Sequence, residues 1–500
     1  MEHTKSQLSN LLKVLIVSFL IVLTYVSCDS FSSSPSQSEE LDNLFKQYYE
    51  SDEFNGSVLI THNGELIYKN GFGFANMEWN ILNKPNTKHR LGSVTKQFTA
   101  MLIMQQVVDG KLDLHESIST YLPDYPREKG DSITTHQLLT HTSGIPNYTS
   151  FPEYQEENRN PCVHQEFIKG FQDKDLEFQA GDQFKYSNSG YFLLGVILEK
   201  ISGKKYEQLL TEYIFSPLGM KNSGYDHHAK VLKNRATGYE KKGAEYINAE
   251  YIDMSVPYAA GSIYSTVEDL YIWDQALYDN KLLPEEYMDL YFKPYVSAFG
   301  GMQYAYGWII GKEPIGNTGD SISVTSHPGG VNGFNTYISR STSENSLIVL
   351  LNNTNAAPLG EITTAIRGIL KGESYDNPQK SLSQEFIKVL ESDGIEEAKT
   401  FFKANLNNKR MKLYENDVNY LGYELMKEDR IETAYEVFKL NMEAFPESFN
   451  VYDSYADCLV NLGRNEEAIE NYKKSILLNP ENQGGIDKLK ELGVDITKLD

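Results

Sequence analysis

The chain has 500 residues, 40% hydrophobic and 23% charged, a balance found in soluble globular domains and enough material for two to four of them. Its formal net charge is −23 and no basic patch is interleaved with aromatics, which argues against nucleic acid or anionic lipid head groups as the main partners. Cys28, Cys162 and Cys458 are the only cysteines, and no cysteine or histidine cluster has zinc spacing, so neither a metal nor an organic cofactor is expected.

At the N-terminus, Lys5 and Lys13 lead into an apolar core at residues 14–26. That is too short to span a bilayer comfortably and suits the core of a signal peptide. Val26-Ser27-Cys28 then resembles a bacterial lipoprotein signal, which implies an exported envelope protein with a lipid anchor on Cys28. Tyr25 stands where that pattern usually has an aliphatic residue, so cleavage by signal peptidase I, or an uncleaved anchor, stays an alternative. Residues 1–28 are thus read as the signal peptide and the serine-rich residues 29–40 as a tether.

An amphipathic helix is predicted over residues 39–49, then two strands, 56–61 and 65–69, joined by the turn His62-Asn63-Gly64. Next comes Ser93-Val94-Thr95-Lys96, followed by an almost wholly apolar run to Val108 and the stop Asp109-Gly110. A spacing of three is close to one helical turn, so the Ser93 hydroxyl and the Lys96 amine share a face. A serine hydroxyl becomes a nucleophile when a neighbouring base takes its proton, and a lysine whose charge is disfavoured by burial can be that base. The helix start also puts the Ser93 N–H where an oxyanion could use it. On the motif alone, Ser93 reads equally as a helix cap. A second Ser-x-x-Lys, Ser202 and Lys205, follows the end of a helical pattern and reads as a surface turn.

After a long mixed region, strands are predicted at 322–325, 335–340 and 346–352 and a closing helix at 362–370. Early and late strands around a helical middle predict an α+β fold, an antiparallel sheet with terminal helices.

Three further segments accompany Ser93: His141-Thr142-Ser143-Gly144 with Tyr148, Tyr186-Ser187-Asn188, and His327-Pro328-Gly329-Gly330. Smaller runs, Ala260-Gly261-Ser262 and Tyr306-Gly307-Trp308, fit the same pattern. Together these resemble the serine β-lactamase and penicillin-binding-protein superfamily over about residues 41–372, closest to class C β-lactamases, D-alanyl-D-alanine carboxypeptidases and related esterases. The resemblance implies a three-layer fold with a helical subdomain. It implies Ser93 as the acylated nucleophile, Lys96 as the lysine sharing its proton, Tyr186 as the phenol between Ser93 and the leaving group, and Asn188 as an amide bonded to substrate and Lys96. Gly330, beside Gly329, would supply the second oxyanion N–H, and Tyr148 would shape the acyl-side pocket. The usual Lys-Thr-Gly is here His327-Pro328-Gly329. His327 would still donate to substrate or to Tyr186, but Pro328 removes the hydroxyl that contacts a β-lactam carboxylate. The expected substrate is therefore a small ester, amide or D-amino-acid peptide. His141 is expected to hold its loop, and residues 226–258 to overhang the cleft.

From about residue 380 to 500 the composition turns helical and repetitive. Ala434, Phe438 and Pro446 recur as Ala468, Tyr472 and Pro480 at an offset of 34 residues. Leu425 pairs with Leu459 and Asp429 with Gly463 in the same way. This resembles the tetratricopeptide repeat and implies a protein or peptide partner. A degenerate repeat is expected around Ala398 and Phe402, and a capping helix near residues 486–492. The rival reading of the whole chain is an envelope binding protein with a catalytically idle hydrolase fold.

Overall fold

A computed structural model describes residues 35–242, 245–355, 357–408 and 411–495. The predicted signal segment and Cys28 lie outside the described residues. Helix α1 (Gln37–Glu50) opens on a capping box in which Ser36 and Glu39 satisfy each other's backbone N–H groups. Its Leu41, Leu44, Phe45 and Tyr48 fall on one buried stripe. Strands β1 (Gly56–His62) and β2 (Glu65–Phe72) form the predicted hairpin, with Asn63 (φ 53) and Gly64 (φ 81) both left-handed in the turn.

Helix α2 (Thr95–Val108) follows Ser93, and α3 (Asn188–Ser202) begins at the Asn188 motif. A hairpin of β3 (Tyr239–Lys242) and β4 (Glu245–Asn248) precedes the single-turn α4 (Tyr258–Gly261). The rest of the sheet comes from short strands β5 (Val296–Ser297) and β6 (Gln303–Tyr304), then β7 (Ile309–Pro314), β8 (Ser321–Val331), β9 (Phe334–Ser341) and β10 (Ser346–Asn352), before α5 (Leu359–Lys371).

These eight strands make one antiparallel sheet in the order β5-β6-β7-β8-β9-β10-β1-β2. Strand alternation sends Val58, Ile60, Ile348 and Leu350 into one core with α1 and α5. Leu59, Leu347, Val349 and Leu351 face the other way, into a larger core with α2, α3 and the helical region. The sheet is thus sandwiched between two helical layers, as the strand pattern predicts.

The pairing of β8 places the site. Strand β7 pairs only as far as Ile309 opposite Ser326, whereas β9 pairs with β8 on through His327, Gly329 and Gly330. The stretch from His327 onward therefore has one edge free of strand partners, and the turn carrying Ser93 packs there.

The C-terminal part is helical, from Leu382–Asp393 through Gln483–Glu491. Ala434, Phe438, Ala468 and Tyr472, the repeating positions, are all buried in its core. Asp429 (φ 61) and Gly463 (φ 73) are both left-handed, so each repeat closes its helical hairpin at an equivalent turn. Helices Ile395–Asn405 and Gln483–Glu491 cover the positions where the degenerate unit and the capping helix are expected.

The 226–258 segment departs from expectation. Its hairpin is tied down away from a free rim: Tyr246 Oη donates to Asp52 O, just after α1, at 3.0 Å, and Lys241 Nζ donates to Gln384 Oε1, in the first helix of the C-terminal part, at 2.6 Å. On either side of the hairpin the segment packs on the β8–β9 turn: a Cβ on Gly333 would come within 2.6 Å of both Gly238 and Ala249, and Asn332 Nδ2 donates to Glu250 O at 2.9 Å.

Candidate active site

Ser93 lies in a one-turn 3-10 helix, Gly92–Val94, that runs straight into α2. The Ser93 side chain is half-buried, and Lys96 is fully buried one turn on. Gly92 adopts φ +54, and a Cβ there would stand 2.7 Å from the backbone N of Gly330, so only glycine fits. Next to it, the Leu91 carbonyl accepts from Thr336 Oγ1 at 2.8 Å and lies where a Cβ on Gly329 would come within 2.0 Å. These contacts press the Ser93 turn against the free edge of β8 and bring Ser93 beside Gly330. At Gly330 itself a Cβ would meet nothing within 4 Å, so that position is open.

Lys96 Nζ has three partners: Ser93 Oγ at 3.1 Å, Asn188 Oδ1 at 2.8 Å and Ala260 O at 2.9 Å. Burial pushes this amine well below the ordinary lysine range. A neutral amine has two hydrogens and one lone pair. The two oxygens that only accept, Asn188 Oδ1 and Ala260 O, take the hydrogens, which leaves the lone pair facing the Ser93 hydroxyl.

The sequence reading gave Ala260 no role, because a backbone carbonyl leaves no side-chain signal. The polar residues of α2 build its position. Thr95 Oγ1 accepts from Ile263 N at 3.1 Å and Thr99 Oγ1 donates to Ala259 O at 2.6 Å. Asn188 is set from the other side, its N–H donating to Asn147 Oδ1 at 3.0 Å.

Tyr186 lies two residues before Asn188 in extended chain, so both side chains reach the same side. The Lys96 amine stands 4.9 Å from the Tyr186 ring centre. The phenol hydroxyl is shielded and has no hydrogen bond of full geometry among the described residues. Burial raises its pKa above the ordinary phenol value, and the nearby Ser93 hydroxyl opposes that weakly. His141 supports this strand as expected: its Nδ1 accepts from Ser187 N at 3.1 Å, and its ring packs 4.2 Å from that of Tyr186.

His327 is brought to the site, 6.2 Å from Tyr186 between ring centres, but both its nitrogens are engaged within the protein. Nδ1 donates to the Pro328 carbonyl at 2.6 Å, which fixes the tautomer, and Nε2 accepts from Tyr304 Oη at 2.9 Å. Burial, with the Lys96 charge as a smaller cause, pushes its pKa down to about 3. His327 is therefore a neutral group bracing Tyr304, and the geometry leaves it no free N–H for substrate. Tyr148 is buried, with its hydroxyl on Val256 O at 3.2 Å, and borders a cleft of about 340 Å³ with Phe151, Tyr154 and Phe167.

Residues 41–370 match the family described as Beta-lactamase. PbpX of Bacillus subtilis (strain 168), provisionally named a penicillin-binding protein, is 32% identical over 321 residues, which cover 64% of this chain and 76% of that one. Among solved structures, a penicillin binding protein from Bacillus halodurans superposes with a TM-score of 0.58 at 26% identity, covering 65% of this chain and 98% of that chain. A D-amino acid amidase from Ochrobactrum anthropi SV3, complexed with L-phenylalanine, superposes with a TM-score of 0.57 at 25% identity, covering 67% and 99%.

Proposed function

This chain belongs to the beta-lactamase family, and from that premise we propose that it is a serine hydrolase working through an acyl-enzyme on Ser93. The observation that carries the reading is the Lys96 amine, buried, drawn towards neutrality and hydrogen-bonded to the Ser93 hydroxyl at 3.1 Å.

In acylation, Ser93 Oγ attacks the substrate carbonyl carbon as its proton passes to Lys96. The N–H groups of Ser93 and Gly330 hold the oxyanion. The bond to the leaving group then breaks, and the Tyr186 hydroxyl gives that group a proton. Lys96 restores the Tyr186 proton, so one proton moves in net from Ser93 to the leaving atom. Opposite burial effects suit the pair to these roles: the amine is held neutral as a base and the phenol protonated as an acid. In deacylation water takes the leaving group's place.

The substrate is an ester, an amide or a peptide with a D-amino acid, in keeping with relatives named for penicillin binding and for D-amino acid amidase activity. We also read the C-terminal helices as tetratricopeptide repeats that hold a protein or peptide partner, and the N-terminal segment as an envelope lipid anchor. Replacing Lys96 by Met keeps its bulk and removes the base. The expected loss in kcat on a nitrophenyl ester is on the order of 10²–10⁴. Unchanged turnover in that variant would refute the proposal.

A further inference from the structure

We propose that the leaving-group side of this cleft selects an uncharged, apolar group over one bearing a free carboxylate, and that Phe299 makes the selection. The inference rests on the serine-hydrolase reading, in which Tyr186 hands its proton to the departing atom, so whatever surrounds Tyr186 meets the leaving group.

Four rings flank Tyr186. His141, Tyr304 and His327 keep at most 1% of their surface exposed. Phe299, 6.2 Å from Tyr186 between centres, keeps 51% of its surface exposed. An apolar side chain left half in water on the rim of a catalytic cleft is a contact surface for something apolar. Its placement is built in. Phe299 sits in the turn between β5 and β6, where Gly300 (φ 56) and Gly301 (φ 82) take conformations that side chains resist. A Cβ on either glycine would meet nothing within 4 Å, so the glycines serve the turn rather than close packing. Edge-on contact with Phe184, at 5.2 Å and 85°, then holds the ring beside Tyr186.

The described groups on this side offer a carboxylate no uncommitted cation. His327 spends Nδ1 on Pro328 O and Nε2 on Tyr304. Pro328 is exposed but has neither N–H nor hydroxyl. Lys96 is committed to Ser93, Asn188 and Ala260. Lys185, next to Tyr186 in the chain, is paired with Glu177 at 2.6 Å. A carboxylate entering here would lose water without gaining a cation, whereas an aryl or alkyl group would cover Phe299.

The test uses two esters of one acyl group, with 4-hydroxybenzoate or its methyl ester as the leaving phenol. Both give the same acyl-enzyme, so the ratio of their kcat/KM values isolates acylation. The wild type is expected to favour the neutral ester by roughly tenfold or more. In Phe299→Ala the neutral ester loses that advantage through KM while Ser93 labelling by a fluorophosphonate keeps its rate, and Phe299→Leu retains most of the preference. Equal kcat/KM values in the wild type, or an unchanged ratio in Phe299→Ala, would overturn the inference and leave the hydrolase reading standing. Hydrolysis of neither ester would overturn both.

Discussion

Lys96 Nζ and the carbonyl oxygen of Ala260 are 2.9 Å apart, a hydrogen bond between residues 164 positions distant in the chain. Because that carbonyl can only accept, it orients the amine: one hydrogen points at Ala260, a second at Asn188, and the remaining position faces Ser93. The carbonyl belongs to α4, a single turn that starts at Tyr258 with φ 39.

Gly195 of α3 lets α4 come close enough. A Cβ there would stand 2.4 Å from the Tyr258 ring and 2.5 Å from the Ala259 Cβ. Gly195→Ala is therefore expected to push α4 away and carry Ala260 O off Lys96. Overpacking of this kind costs about 1–3 kcal/mol of stability. A displacement near 1 Å at the base should lower kcat/KM by up to roughly 10²-fold. Thermal unfolding and ester hydrolysis check both; a variant with full activity would show that Ala260 does not place the base.

The neighbouring glycines of β8 separate stability from activity. A Cβ on Gly329 would overlap the Leu91 carbonyl at 2.0 Å, so Gly329→Ala should lower the melting temperature. Gly330 has open space, so Gly330→Ala should melt as the wild type does, and any fall in its kcat/KM reports the oxyanion site alone. Equal behaviour of the two variants in both assays would contradict this division.

The pH profile should show which groups titrate. Lys96 acts as a base only when neutral, so kcat/KM rises with pH through its folded pKa. Burial has moved that pKa below the lysine range, bringing the rise down from strongly alkaline pH. Tyr186 must keep its proton, and its raised pKa moves any alkaline fall beyond the ordinary phenol value. His327, held near 3, should add no limb around pH 6.5. A limb there that disappears in His327→Gln would show that His327 does titrate in catalysis.

Buried neutral histidines make the fold acid-sensitive. Burial pushes His89 down to about 4 and His327 to about 3. Below pH 6.5 the unfolded chain takes up these protons and the folded chain refuses them. Their contribution is full above pH 6.5 and is lost as pH falls towards 4, at about 1.4 kcal/mol per pH unit for each fully discriminating group. Urea midpoints at pH 7.5, 6 and 5 should fall in that order; a flat series would contradict the burial of these rings.

Much of this was legible in the residues because side-chain type and spacing carry it. The Ser93 and Lys96 turn, the apolar helix behind it, the β1–β2 hairpin and the alternating sheet all follow from local pattern, and the family resemblance added the Asn188 contact to Lys96. What escaped depends on partners distant in sequence. The Ala260 carbonyl has no side-chain signature. The loss of His327 as a donor depends on Tyr304, which approaches only when β6 joins the sheet edge. The 226–258 segment reads as overhanging the cleft because nothing local reveals that Lys241 and Tyr246 will find Gln384 and Asp52. Phe299 is one apolar residue among many until the sheet edge sets it beside Tyr186.

We propose that Lys96 activates Ser93 to form a covalent acyl-enzyme. Intact-protein mass after exposure to a fluorophosphonate, and separately to a penicillin, tests it most directly when wild type, Ser93→Ala and Lys96→Met are compared. A fluorophosphonate adduct is expected on the wild type, abolished in Ser93→Ala and severely slowed in Lys96→Met. A folded wild-type protein that gains no mass from either reagent and turns over no penicillin, or an adduct that persists in Ser93→Ala, would contradict it.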